Sequence, residues 1–134
     1  MSKENLKRVL DVYPRFNARE PLAPLVREYY HADAEYHVAR EDPDSAVHRG
    51  VAAITKHVER WIEAYPDLKL ERSDGKAVGD QVFVWVRLVG HGAGSGAPVE
   101  MEMAHVITLR EGKFARVDEY YDRAEALKAV GLEE

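Results

Sequence analysis

Gln81-Val-Phe-Val-Trp-Val-Arg-Leu-Val-Gly-His91, Met101-Glu-Met-Ala-His-Val-Ile-Thr-Leu109 and Lys113-Phe-Ala-Arg-Val-Asp-Glu-Tyr-Tyr121 are three successive runs rich in β-branched and aromatic residues. Gly79-Asp80 precedes the first, glycines at 90, 92, 94 and 96 separate it from the second, and Arg110-Glu-Gly-Lys113 joins the second to the third. Runs of this kind joined by such turns predict consecutive antiparallel hairpins. The spaced glycines do not make a phosphate loop: the terminal Lys-Ser/Thr is missing, and the flanks are strand and strand instead of strand and helix.

Working outward, Leu6, Val9, Leu10 and Tyr13 recur at helical spacing and predict an amphipathic helix near residues 3 to 18, with a bend or early stop at Pro14. Pro21-Leu-Ala-Pro-Leu-Val-Arg-Glu-Tyr-Tyr30 predicts a short second helix with both prolines near its start, and His31-Ala-Asp33 its exit. A strand is expected near residues 35 to 40, then a turn at Glu41-Asp-Pro-Asp-Ser45. Val51, Ile54, Val58, Trp61 and Ile62 form the clearest helical stripe, ending before Tyr65-Pro66. A second strand begins around Leu68 and Leu70, and a terminal helix runs from Arg123 to Val130, stopped by Gly131. Helices in the first half followed by four strands argue an α+β fold, with helices on one face of a curved antiparallel sheet.

A chain of 134 residues fits one domain spanning positions 1 to 134. No apolar run approaches the length that crosses a bilayer, and Met1-Ser-Lys-Glu-Asn5 lacks the apolar middle of a signal peptide. Without cysteine there is no disulfide and no thiol chemistry, and a cytoplasmic location is expected. Acidic residues outnumber basic ones, 24 to 19, and the basic ones are scattered, which argues against a nucleic-acid track. The six histidines, at 31, 37, 48, 57, 91 and 105, make no close ligand motif, so neither metal nor cofactor is expected.

Side chains alternate along a strand, so Met101, Met103, His105, Ile107 and Leu109 share one face, and Glu100, Glu102, Ala104, Val106 and Thr108 the other. The first face is the more pocket-like. On the last strand Ala115, Val117, Glu119 and Tyr121 share a face, leaving Phe114, Arg116, Asp118 and Tyr120 opposite; a bulge would bring Asp118 in instead of Glu119. His105 is then a general acid, general base or oxyanion donor, or else a half-buried histidine satisfied by a carbonyl or tyrosine. Glu119 either orients His105, removes a proton from a ligand, or stands as a solubilising side chain at a pocket mouth. The other four strand-edge and helix histidines short of the last, His31, His37, His48 and His57, read as surface, capping or edge groups, and His91 as a loop residue.

The opening helix, His31-Ala-Asp33 before a strand, His48-Arg-Gly50 before the amphipathic helix, Gly79-Asp80, the Gly90 to Gly96 hairpin, Gly112-Lys113, and Tyr121-Asp-Arg with Ala126-Leu-Lys-Ala-Val-Gly131 together resemble the nuclear transport factor 2-like superfamily. The likeness is to its polyketide-cyclase-like and ketosteroid-isomerase-like members and spans nearly the whole chain. It implies a conical fold, a curved antiparallel sheet wrapped around three helices with an internal pocket, and often a dimer formed by the outer sheet face. It does not choose a reaction, since members range from isomerases and cyclases to proteins without activity. Carried over residue by residue, the isomerases' protonated aspartate falls on His105, their general base on Val38 with His37 beside it, and their first-helix tyrosine on Val12 or Tyr13. Valine moves no proton, so the resemblance does not imply steroid isomerase activity.

The expected site therefore has His105 and Glu119 as the acid–base pair, lined by Tyr13, Tyr36, Val38, Val58, Trp61, Met101, Met103, Val117 and Tyr121. The expected ligand is a small hydrophobic or cyclic organic molecule, turned over without cofactor by isomerisation, cyclisation, hydration or dehydration. The alternative is a non-catalytic ligand-binding or homodimeric assembly domain. A homodimer is expected either way, with Trp85 and Arg87 as candidate interface residues.

Overall fold

Glu111 and Gly112 take φ values of 54° and 77°, the paired left-handed conformation of a tight primed turn, and so close a hairpin between two long strands. The computed structural model that contains this turn describes residues 2–132. Its helices are α1 (Ser2–Asn17), α2 (Leu22–Tyr29), α3 (Gly50–Ala64) and α4 (Arg123–Ala129). Its strands are β1 (Tyr30–His37), β2 (Val47–Arg49), β3 (Lys69–Arg72), β4 (Lys76–Val78), β5 (Gln81–His91), β6 (Pro98–Arg110) and β7 (Lys113–Tyr120).

The α+β class holds, but the sheet does not form the expected cone. The strands run β2-β1-β7-β6-β5-β3, with β4 also on β5, and no pairing joins β2 back to β3, so the sheet is open, neither curled up nor closed. Nor is it wholly antiparallel: β1 lies parallel to β7, with Tyr36 opposite Val117 and His37 opposite Asp118. Parallel neighbours require a long crossover, here everything between the first and last strands of the chain. The three expected hairpin strands are present and pair antiparallel, β6 with β5 along the whole of β5 and with β7 through His105 opposite Glu119.

Several local expectations are corrected. The first strand starts at Tyr30, directly at the end of α2, so His31-Ala-Asp33 lies within it instead of forming an exit. β2 and β4, three residues each, are additional. α1 runs through Pro14 to Asn17. Proline costs a helix about 3 kcal/mol, and burying Tyr13 and Phe16 on either side of it returns an amount of that order, about 1.5–3 kcal/mol for each large side chain. The end of α1 is then fastened to the sheet edge, where the Asn17 amide both donates to the Leu70 carbonyl (3.0 Å) and accepts from the Leu70 N–H (2.9 Å).

The sheet carries helices on both faces, not one. Against α1, α2 and α3 it buries Met103, Ile107, Leu109, Phe114 and Val117 together with Val9, Tyr13, Phe16 and Ile54. Against α4 it buries Phe83, Ala104 and Val106 under Ala126, Leu127 and Val130. Asp122 caps α4 by accepting from the N–H groups of Ala124 and Glu125, and Gly131 ends it at φ 83°. A bulge decides which β7 residues face inward: pairing shifts between Thr108–Arg116 and Leu109–Phe114, leaving Ala115 as the extra residue. Phe114, expected outside, is therefore inside with Val117 and Glu119, while Asp118 stays outside in an ion pair with Arg116 (2.9 Å).

Candidate functional site

Two adjoining hollows lie between the α1–α3 layer and the sheet. The inner one, about 110 Å³, is walled by Val12, Tyr13, Phe16, Leu22, Leu25, Val26, Tyr30, Tyr36, Val58, Leu70, His105, Ile107, Phe114 and Val117. The second, about 60 Å³, shares Phe16, Tyr36, Val58, Leu70 and His105 with it and adds His57, Trp61, Leu68, Leu88, Met103 and Glu119. His105 stands where the two meet.

Two tyrosine-anchored polar pairs interrupt this apolar lining. The Tyr13 hydroxyl lies 2.8 Å from His105 Nδ1, with the two rings nearly parallel (10°) and their centroids 5.9 Å apart. Tyr36 donates to Glu119 Oε2 (2.5 Å), and the Ala39 N–H donates to Oε1 (3.4 Å). His105 and Glu119 are direct cross-strand neighbours, whose Cβ atoms such pairing holds about 4.5–5.5 Å apart, yet each bonds to its own tyrosine and no hydrogen bond joins them. The His105 Nε2 has no protein partner among the described residues, and the ring keeps some exposure, which opens onto the hollows it lines.

Burial sets the protonation states. Removal from water pushes the His105 imidazole down to about 4, so it is neutral at pH 7. Burial also holds the Tyr13 phenol above its ordinary range and raises the Glu119 carboxyl, which is only 6% exposed, against the opposing effect of the Tyr36 hydrogen bond. With Tyr13 donating to Nδ1, Nε2 carries the ring proton and is a donor; with Nδ1 protonated, Nε2 is a free base. The same pair thus presents either an acid or a base to the hollow.

The remaining expected residues are distributed as follows. Tyr13, Tyr36, Val58 and Val117 wall the inner hollow, and Met103 and Trp61 the second. Val38 lines an outer cleft, Met101 packs beside the core without reaching either hollow, and Tyr121 donates to Asp42 (2.6 Å). Trp85 donates to Glu102 (2.8 Å) on the outer face, where Arg87 pairs with Glu71 and Glu100.

His57 is not the surface or edge group that its place in the sequence suggests. Its ring stacks on His48 (centroids 4.4 Å) and packs against Tyr36 (5.0 Å), and its Nε2 is buried without a partner. The signal was present: His57 lies three residues after Ile54 and four before Trp61, on the stripe that faces the sheet. Desolvation first, then His48 and Arg60, push it down to about 4, against a smaller opposing effect of Asp42.

Both depressed histidines give stability that is complete above about pH 6.5 and is lost as pH falls towards about 4, because the unfolded chain accepts protons that the folded chain refuses. Glu119 acts in the opposite sense, favouring the fold at low pH and losing its contribution as pH rises through its elevated folded value. Between pH 6.5 and 4.5 each of the two histidines is expected to remove at most about 1.4 kcal/mol per pH unit, and less in proportion to the exposure its ring keeps. Urea unfolding across this range should show a shallower pH slope for His105→Gln than for the parent; equal slopes would contradict the buried neutral imidazole.

Among the described residues no group of three or more histidine or carboxylate side chains is placed to hold a metal ion, and no helix is long and apolar enough to cross a membrane. Of the solved structures, one from Jannaschia sp. CCS1 assigned provisionally as a SnoaL-like polyketide cyclase is 18% identical, with 99% of this chain and 95% of that one covered at a TM-score of 0.79. TerC, crystallised with polyporic acid, is 19% identical over 95% of this chain and 97% of its own, TM-score 0.75. A protein of ketosteroid isomerase-like fold from Catenulispora acidiphila DSM 44928, in complex with trimethylamine, is 19% identical over 84% and 85%, TM-score 0.67. Among curated proteins none matches. At these identities the structures speak for the fold alone, but the family model described as SnoaL-like domain matches residues 9–117, and the chain belongs to that family.

Proposed function

We propose that the protein is a cofactor-independent acid–base catalyst for a small, neutral, cyclic carbonyl compound, with His105 and Glu119 as its catalytic residues. The observation that carries this reading is the neutral His105, anchored at Nδ1 by Tyr13 and unpartnered at Nε2 where the two hollows meet. Its apolar surroundings favour an uncharged ring, and they strengthen any hydrogen bond made to an oxygen that gains charge. In the proposed cycle the Glu119 carboxylate takes a proton from the carbon beside the carbonyl, the C–H electron pair becomes the new C=C bond as the C=O π pair moves onto the oxygen, and His105 Nε2–H holds the resulting enolate. Glu119 returns the proton to the same or another carbon of the enolate system, so no atom or electron is gained. A carboxyl raised by burial has a basicity closer to neutrality, which suits it to this exchange. TerC's crystallisation with polyporic acid is in keeping with a cyclic ligand.

The test is proton exchange. With 2-cyclohexenone and 2-tetralone in D2O, the protein should accelerate deuterium incorporation beside the carbonyl above the buffer rate, as read by NMR. No acceleration for these or other small cyclic ketones would leave the second reading, a binding domain without turnover, which the small size of the hollows and the engagement of Glu119 by Tyr36 support.

A cytoplasmic location belongs to this proposal and rests on the cysteine-free composition. A homodimer through the outer sheet face belongs to it as well, on narrower grounds than the sequence suggested, because α4 covers Phe83, Ala104 and Val106. What remains for a partner is the half-buried Trp85 and the charged strip beside it. Sedimentation at about 100 µM should give a dimer that Trp85→Glu dissociates; a monomer at that concentration would dispose of it.

A further inference from the structure

The hollows do not end at Trp61. A third space, an outer cleft of about 610 Å³, has His57 and Trp61 in common with the second hollow, so the three spaces adjoin one another in a row from the sheet to the surface. The chemistry changes sharply along it. In the innermost part the only polar groups are tyrosine hydroxyls and His105, whereas the cleft is lined by Asp42, Asp44, Ser45, His48, His57 and Arg60, with the Trp61 and Tyr65 rings beside them.

Several of these groups have nothing to do in the protein. Among the described residues neither Arg60 nor Asp44 makes a side-chain hydrogen bond or ion pair, and the buried His57 Nε2 has no partner. Asp42, by contrast, is engaged at both oxygens, accepting from Tyr121 and from the Asp44 N–H. Charge argues against an ionic occupant. Arg60 would attract an anion, but Asp42 and Asp44 flank the same space; the carboxylates would attract a cation, but Arg60 repels it. The cleft thus holds both donors and acceptors, and the Trp61 and Tyr65 rings, 6.0 Å apart and tilted by 35°, line it beside them. A group that presents hydroxyls along its edge and C–H bonds on its face meets both requirements.

We propose that the outer cleft is a binding site for an uncharged, hydroxyl-rich group, a sugar or comparable polyol, attached to the ring held in the inner hollows. The ligand class is thus a neutral ring glycoside or polyol-bearing ring compound. This rests on the reading of the inner hollows as a ring-binding site, and adds to it the outer half of the ligand. Trp61 and His57 stand at the threshold, touching both halves.

The experiment compares phenol with phenyl β-D-glucopyranoside, titrated into the protein and followed by amide NMR. The glucoside should bind about tenfold more tightly, the yield of one or two net hydrogen bonds, and should shift resonances of residues 42–48 and 57–65. In an Asp44→Ala/Arg60→Ala variant the ratio of the two affinities should fall towards one. Phenol bound equally well or better than the glucoside overturns the proposal while leaving the ring site standing, as does a ratio unchanged in the double variant. Binding of neither compound overturns the ring site, and the outer site with it.

Discussion

Exchange of the proton beside the carbonyl of a bound cyclic ketone is expected to slow by roughly 10²-fold in His105→Ala, with the fold retained. The substitution removes the only side-chain nitrogen among the described residues that line the inner hollow and leaves the Tyr13 hydroxyl without its hydrogen-bond partner at 2.8 Å. That loss costs about 1–3 kcal/mol of stability, so the rate must be read beside His105→Gln, whose amide oxygen still accepts from Tyr13. Both variants should lose turnover if the imidazole handles the proton or holds the enolate. If kcat/KM in His105→Gln matches the parent, the ring has only a packing role.

The largest effect on stability should come from Phe114→Ala, which is expected to cost about 3–5 kcal/mol. Phe114 is 1% exposed, lies edge-on to Tyr30 with centroids 5.0 Å apart, tilts against Tyr29 at 5.6 Å, and walls the inner hollow. Removing it both forfeits that burial and enlarges a space already partly empty. A domain of this size is stable by about 5–15 kcal/mol, so the melting temperature should fall by about 10–20 °C. A loss below about 1 kcal/mol in urea unfolding would mean that the bulge does not bring Phe114 inside.

That bulge marks where the sequence stops being readable. Alternation placed Met103, His105 and Ile107 on the buried face of β6 because nothing interrupts the period there. On β7 the extra residue Ala115 resets the alternation, and the composition of Lys113-Phe-Ala-Arg116 does not announce it; Glu119 was placed correctly because the reset lies upstream of it. β2 and β4 are too short to carry a period. The parallel pairing of β1 with β7 joins strands more than 80 residues apart, and an apolar pattern says which face is buried but not which neighbour lies alongside. The expectation of a wholly antiparallel sheet failed for that reason.

Around the hollows, strand alternation and helical spacing point to part of the lining and not to its hydrogen-bond pairing. Strand alternation pairs His105 with Glu119 because it puts both on the pocket-facing side of their strands, whereas in the structure Tyr13 and Tyr36, from α1 and β1, take the hydrogen bonds. His57 was legible from its spacing to Ile54 and Trp61, but its neighbour Lys56 made it look like an edge residue. The role of α4 was hidden differently. Its helical spacing was plain, but that Ala126, Leu127 and Val130 cover the outer face of β5 and β6 depends on the chain turning back at Asp122.

The central claim is that His105 Nε2 is an unengaged hydrogen-bonding group facing a ring-sized space. It is tested most directly by a crystal structure of the protein soaked with 2-cyclohexenone. The expected result is the ring in the hollow between Phe114, Val117 and Tyr13, its oxygen within about 3 Å of His105 Nε2. An inner hollow filled by protein side chains, or a His105 Nε2 already bonded to a protein group, would contradict it.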